Sequence, residues 1–471
     1  MNGGPCDTIV IGGGIAGLAC ADELHKAGRN VRLFEAGPRV GGVMQTTKRD
    51  GFLLEHGPFN VFVKSPEFAN LLAQLGPVAE PMPVNADAGR NRFVLHDKTL
   101  HRLPTSPGEL LASDLLSRSG KVRLARGLVC SSAGEPDATI DDVMHRRFGA
   151  EVANRIASAM TVGIWGAESD ELEAASAMPT LARLDAGRCP LLSMLRSKRR
   201  GPRARSSDAP KGMISFRDGL GGLCDALANR LGDAVETGST ARRIQRDGDG
   251  LAVHVEHAGG EDVHRAQHVV IACGAEPAAA MLADESPALS EAFRSIDHVG
   301  LAVLNLALPR DAVDHPLNGY GFLVPRTSRE TPILGALWAS SVFAHHAPAD
   351  HVLLRVFFGG TRHPDQLTAP DETLRADAMD TLRPLLGIRG EPVLCDVHRW
   401  LNAVPIYRPG HRHLVERINA MASRIPNLHL AGSFMDGVSI NDCVTRGIRI
   451  ARRLPVPEQP RPEHVTVAES V

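Results

Sequence analysis

Three glycines and one acid near the start of the chain have the types and spacing to hold a diphosphate. Gly12-x-Gly14-x-x-Gly17 follows a β-branched run at residues 8–11 and opens a helical pattern, the strand–turn–helix order of dinucleotide folds. Gly12 permits the tight turn, Gly14 lets backbone approach a pyrophosphate, and Gly17 lets the helix pack on the strand. The phosphates would then meet a helix N-terminus, where free N–H groups and the positive dipole end stabilise anions. A second apolar strand at residues 31–34 ends in Glu35, near the ~20-residue spacing of a ribose-binding acid. Arg39, followed by Gly41 and Gly42, offers a second approach to phosphate. These residues predict a bound adenine dinucleotide; the glycines alone leave FAD and NAD both open.

Other reactive side chains are less organised. Among twenty histidines, His345-His346 and His411-Arg412-His413 lack a carboxylate or cysteine at ligand spacing and read as surface or turn positions, so no metal is expected. Neither GxSxG nor HExxH occurs, which removes the hydrolase readings. Eight cysteines are scattered without a CxxC pair, a pattern of reduced thiols in a cytoplasmic protein.

The elements that must position these residues follow from pattern. A length of 471 residues suggests about three domains, and a net charge of −2 gives no field that favours nucleic acid. The glycine motif starts too early for a signal peptide, and no run of ~18 apolar residues is present. Residues 52–55 read as a strand closed by His56-Gly57-Pro58, where His56 reads as a turn residue bonded to backbone. Ser65-Pro66 caps a helix, and residues 92–103 form a hairpin turning at Asp97-Lys98. Residues 106–195 follow the helical period and end in a basic run at 196–205. That run reads as a solvated linker, or as an attraction to anionic lipid of about 1 kcal/mol per basic residue. A helix opens at Gly219, strands recur at 252–255 and 268–273, and residues 299–358 read as a second, antiparallel sheet. Near the end a buried strand at 428–432 leads into a helix from Asn441, and 456–471 reads as a disordered tail. A nucleotide domain split between the two ends of the chain favours FAD, whose extended form needs a C-terminal segment at its flavin end.

Larger motifs carry a resemblance. Gly12 to Gly17, Arg39-Val40-Gly41-Gly42, Asp50-Gly51-Phe52-Leu53-Leu54-Glu55-x-Gly57-Pro58, Asn91-Arg92-Phe93, Pro405-Ile406-Tyr407-x-x-Gly410-His411 and Leu430-Ala431-Gly432-x4-Gly437-Val438-x-x-Asn441-Asp442-Cys443 resemble the protoporphyrinogen oxidase family nearly end to end. The resemblance implies an α/β fold: a discontinuous Rossmann-like FAD-binding domain (1–65, 210–275, 395–455), an antiparallel-sheet substrate domain (66–105, 276–394) and a mostly helical, membrane-associated domain (106–209). It implies non-covalent FAD and oxidation of protoporphyrinogen IX to protoporphyrin IX in three two-electron steps, each reoxidised by O2 to give H2O2. Glu35 would hold the ribose, and Arg39 with Gly41 and Gly42 the pyrophosphate. Gly57, Pro58, Gly432, Val438, Asn441 and Asp442 would lie along the cofactor. Arg92 would bind a propionate; Leu323, Leu337 and Phe357 would clasp the macrocycle, beside Gly163 and Trp165. Gly166-Ala167 departs from the family's usual Ala-Gly. The resemblance also implies peripheral attachment to the inner membrane, a hand-off to ferrochelatase and a homodimer. Alternatives are coproporphyrinogen III, an amine or a polyene as substrate, and a scaffold that binds flavin and tetrapyrrole without turnover.

Overall fold

A computed structural model describes residues 6–129, 134–186, 212–435 and 437–455. The basic run at 196–205 and the tail expected at 456–471 lie outside these residues.

The first strand, Cys6–Ile11, is apolar over its last three residues, Ile9 to Ile11, because both faces of its sheet are covered there. Val10 points to one face, where the helices Ile15–Lys26, Gly219–Leu231 and Ile440–Arg453 pack. Ile9 and Ile11 point to the other, against Ala275–Met281, Pro287–Arg294 and His411–Ala422. The parallel strands run Val235–Glu236, Val31–Phe34, Cys6–Ile11, Gly260–Ile271, with Leu428–Leu430 beside the last. Antiparallel Gly250–His257 and Thr240–Asp247 extend the sheet from the same long strand. The two ends of the chain meet at Gly447, where a Cβ would lie 2.2 Å from the Ala16 carbonyl oxygen. Only a residue without a side chain lets the last helix lie this close to the first.

The second sheet runs Leu394–Pro405, His298–Pro309, His351–Gly359, Gly335–Trp338, Gly321–Leu323, Arg92–His96, Thr99–Arg102. One face packs on the helix Asp371–Leu386. Neighbours are antiparallel, except that Gly321–Leu323 runs parallel to Arg92–His96. The expected hairpin forms, with Asp97 at φ 48° and Lys98 at φ 59°, the paired left-handed residues of a type I′ turn. The expected helix after Ser65 is Pro66–Leu75, and the Ser65 side chain accepts from the Phe68 N–H.

Two expected boundaries move. Residues 395–405 are expected in the FAD domain, but they belong to the strand Leu394–Pro405, which pairs with His298–Pro309 in the second sheet. The helices at 275–294, assigned to the substrate domain, pack on the nucleotide layer. Both shifts come from burial: each segment's apolar side fits a surface far away in sequence. Among the described residues, 107–186 contain helices and one isolated bridge, Thr139–Glu173, so the expected helical region is present. None of the helices among the described residues is long and apolar enough to cross a membrane.

Candidate active site

The two glycine turns form opposite walls of an open cradle. Gly12 has φ +108°, and its N–H donates to the Phe34 carbonyl at 2.8 Å. A Cβ on Gly17 would sit 2.0 Å from the Gly12 oxygen. Gly14, by contrast, has nothing within 4 Å of where its Cβ would be. Gly41 pairs with Gly14 across a parallel bridge and donates to Gly13 O at 2.8 Å. A Cβ on Gly42 would meet only the Gly14 Cα, at 3.5 Å. The free space at Gly14 therefore lies in front of a helix N-terminus that no side chain caps, which fits a diphosphate. Glu35 is fixed beside it, accepting from the N–H groups of Gly13 at 2.6 Å and Gly37 at 2.7 Å. Arg39 is exposed at the rim and bonds Gln45.

The far end of the cradle departs from expectation at the side-chain level. Asn441 is buried, and its amide oxygen accepts from the Lys64 N–H at 2.8 Å and the Ser65 N–H at 3.0 Å. Its acceptor therefore ties down a loop. Asp442 bonds Ser439, whose hydroxyl caps the last helix. Gly432 is required by the Phe434 ring, which a Cβ would approach to 2.0 Å. Val438 packs toward Trp165, Ile406 and Tyr407. Tyr407 is fully buried; its hydroxyl accepts from the Gly437 N–H at 3.0 Å and donates to Ser433 O. The motif from Pro405 to His411 thus shapes the loop that ends the cradle.

One face of the second sheet gathers the expected substrate residues on two rungs. The first rung reads Arg92, Gly321, Leu337, Arg355, Asn305, Asp396; the second reads Val94, Leu323, Gly335, Phe357, Val303, His398. Cross-strand partners share a face, as do residues two apart, so Arg92, Leu323, Leu337 and Phe357 all point the same way. Arg92 is exposed at the outer end, its guanidinium 5.1 Å from the Tyr320 ring centre. The helix Ser158–Trp165 lies over Leu323: a Cβ on Gly163 would come within 2.6 Å of that side chain. Gly166 takes φ +65° as the helix ends against Leu301 and Val299. Trp165 does not face this surface. It is buried in the helical region, 4.8 Å from the Tyr407 ring, and supports the site from behind.

Sequence reasoning missed the buried polar residues between cradle and sheet. Arg355 is fully buried, donates to the Gly57 carbonyl at 2.7 Å, and lies between the Phe59 and Phe357 rings. It ties the Gly57-Pro58 turn to the sheet face that carries Leu337 and Phe357. Gly57 is itself required, since a Cβ would sit 1.9 Å from Val43 O. Glu55 is fully buried and accepts from the Leu220 N–H and the Thr46 hydroxyl, each at 2.7 Å. Burial pushes its carboxyl up to about 7, against the pull of those donors and of Arg355; burial also pushes Arg355 down to about 10. Three histidines are corrected. His56 is buried against Asp396 rather than bonded to backbone through its ring. His346 is fully buried against Phe343, and desolvation pushes it down to about 2. His411 is buried against Tyr407 and pushed down to about 4. The only signal for these residues was a charged or polar side chain inside an apolar run, which does not name its partner.

Comparison with known proteins agrees with this geometry. A coproporphyrinogen III oxidase of Bacillus subtilis is 27% identical to the chain, covering 95% of it and 97% of the relative. A chloroplastic protoporphyrinogen oxidase of Oryza sativa is 30% identical over 93% of the chain and 86% of the relative. A crystal structure from Exiguobacterium sp. 255-15 shares the fold with a TM-score of 0.79 at 22% identity, covering 95% of this chain and 98% of that one. The family model described as flavin containing amine oxidoreductase matches residues 15–455. With the model running from the first helix through the Gly41-Gly42 turn and the second sheet to the last helix, the chain belongs to the flavin containing amine oxidoreductase family.

Proposed function

We propose that the protein uses non-covalent FAD to oxidise protoporphyrinogen IX to protoporphyrin IX, with O2 as the final acceptor and H2O2 as product. The observation that carries this reading is the sheet face that joins one reachable guanidinium, Arg92, to an aliphatic and aromatic floor of Leu323, Leu337 and Phe357. FAD supplies a two-electron acceptor. The protein's residues bind and orient: the helix at Gly163 packs on Leu323 at one end of the floor, and Arg355 holds the Gly57-Pro58 turn at its edge. An apolar macrocycle suits such a face, and a planar guanidinium bonds a propionate through two hydrogens. Coproporphyrinogen III is the second reading, favoured by the name of the Bacillus relative. It carries four propionates, and burying unpaired carboxylates is costly. Arg355, the other arginine on the rung, is fully buried and so out of a ligand's reach.

The test is fluorescence of the porphyrin formed from each porphyrinogen. Protoporphyrinogen is expected to have the higher kcat/KM. A charge-assisted bond contributes about 1.5–3 kcal/mol, so Arg92→Ala is expected to lower kcat/KM roughly ten- to a hundredfold at unchanged flavin content. Faster turnover of coproporphyrinogen, or an unaffected Arg92→Ala variant, would reverse the assignment.

The same reading includes docking on the inner membrane as a cytoplasmic, peripheral protein, hand-off to ferrochelatase, and a homodimer. Docking is supported by the helix Arg118–Val129, whose buried Gly120 and Gly127 leave Arg118, Val122, Arg126 and Val129 outward. Leu111, Val122 and Val129 are 71%, 69% and 59% exposed. Apolar and basic residues on one outward surface are the pattern of an interfacial helix. Co-sedimentation with phosphatidylglycerol vesicles is expected to weaken in high salt and to fall about tenfold or more in Val122→Glu/Val129→Glu. Binding equal to wild type would leave the helix without a membrane role.

A further inference from the structure

Beside the apolar floor, the same sheet face ends in a cluster that neither flavin binding nor macrocycle binding uses. His398 shares the rung of Phe357 and Leu323, and Asp396 shares that of Leu337. His56, in the turn leading to Gly57-Pro58, covers both. Its ring stacks on His398 with centres 4.6 Å apart and planes 6° from parallel. Its Nε2 lies 3.1 Å from Asp396 Oδ2, and its Nδ1 is buried without a partner. Trp400 closes the other side of His398 at 4.4 Å and donates from Nε1 to the His56 carbonyl at 2.8 Å. The cluster therefore bridges the cofactor-side turn and the substrate face.

The surrounding charges favour a neutral imidazole ready to accept a proton. Burial, the neighbouring His56 and Arg39 all hold His398 below the usual histidine range, opposed by Asp396. The hydrogen bond from His56 holds Asp396 low, helped by Arg49, 3.4 Å away, and by Asn305. The Glu55 carboxylate turns away, to Leu220 and Thr46. Two imidazolium rings stacked this closely would repel, and Asp396 lies beside His398 to stabilise a charge there.

We propose that His398 and His56, backed by Asp396, are the proton acceptor of the oxidation. This rests on the porphyrinogen reading above. FAD held in the cradle would supply the two-electron acceptor: in each step the porphyrinogen would give up a meso C–H as hydride and a pyrrole N–H proton to His398, leaving a meso C=C and a ring C=N. O2 would receive the two electrons with two protons, the one carried as hydride and the one returned by His398, and leave as H2O2. Atoms and charge balance over the cycle.

The experiment is anaerobic rapid-mixing of the FAD-loaded protein with protoporphyrinogen, following flavin bleaching between about pH 5.5 and 9. Wild type is expected to lose rate at low pH as His398 becomes protonated. His398→Gln is expected to reduce flavin about 10²–10³-fold more slowly and to lose that low-pH limb. Asp396→Asn is expected to slow the rate about tenfold and move the limb to lower pH, since it destabilises the imidazolium. A structural role would change flavin content or melting temperature without removing the limb. An independent readout uses imidazole NMR, where His56→Leu should raise the pH at which His398 titrates. A His398→Gln variant that keeps both rate and limb overturns the assignment, as does a His398 titration indifferent to His56. Wild type whose flavin no porphyrinogen bleaches overturns the substrate reading first, and this assignment with it.

Discussion

Gly14→Val is expected to leave the fold standing and strip it of flavin. A side chain at Gly14 meets no protein atom within 4 Å, so it enters the space in front of the helix N-terminus, where the diphosphate must lie. Gly17→Val is the contrasting variant. Its Cβ would strike the Gly12 carbonyl at 2.0 Å and the Ala272 side chain at 3.2 Å, so it should disrupt the strand–helix packing itself. Charge-assisted bonds from backbone contribute about 1.5–3 kcal/mol each, and excluding the diphosphate removes more than one. FAD affinity of Gly14→Val should therefore fall by about a hundredfold or more, with a melting temperature equal to that of wild-type apoprotein. Gly17→Val should show a lower melting temperature as well. Flavin titration and thermal melting of both variants decide the matter. Full flavin content in Gly14→Val would refute the cradle.

Glu168→Ala is expected to cost the protein about 3–5 kcal/mol, the usual result of stranding a buried charge. The helix Ser158–Trp165, which packs on Leu323 of the second sheet, is held to that sheet by an ion network. Arg362 donates from Nε to Glu168 at 2.8 Å and from a terminal nitrogen to the Val324 carbonyl at 2.8 Å. Arg326 lies 3.0 Å from Asp141 and 3.6 Å from Glu168, and its N–H donates to the Ser158 hydroxyl at 3.0 Å. The Arg362 side chain is 3% exposed, so water cannot replace the lost carboxylate. Glu168→Gln keeps an acceptor and should lose less. Urea unfolding of the holoprotein, followed by far-UV circular dichroism, measures both. A loss below about 1 kcal/mol for Glu168→Ala would mean that Arg362 is compensated elsewhere.

Local rules were enough wherever a residue's neighbours in sequence decide its conformation. The glycine turn at 12–17, the Ser65-Pro66 helix start and the Asp97-Lys98 hairpin each depend on φ preferences and on hydrogen bonds closed within a few residues, and each appears where expected. The apolar strands of the second sheet were legible too, because alternation states that one face is buried. Alternation does not say which strand lies next to which. Residues 395–405 fall outside their expected domain because the partner strand, His298–Pro309, lies far back in the sequence, and only closure of the sheet brings them together.

By itself, then, the sequence determined the glycine turn of a dinucleotide fold near its start and a strand–glycine–helix segment near its end, while Arg92 and the apolar residues of the second sheet were expected at a substrate only through the family resemblance. Tertiary structure alone decided the register that aligns Arg92 with Leu337 and Leu323 with Phe357. It also turned Trp165 and Asn441 away from the roles expected of them. Only the folded chain sets Arg355 against Gly57 and His56 against Asp396 and His398. The reason is physical: a backbone turn is satisfied locally, whereas a buried charge takes its partner from whatever the packed elements bring within reach.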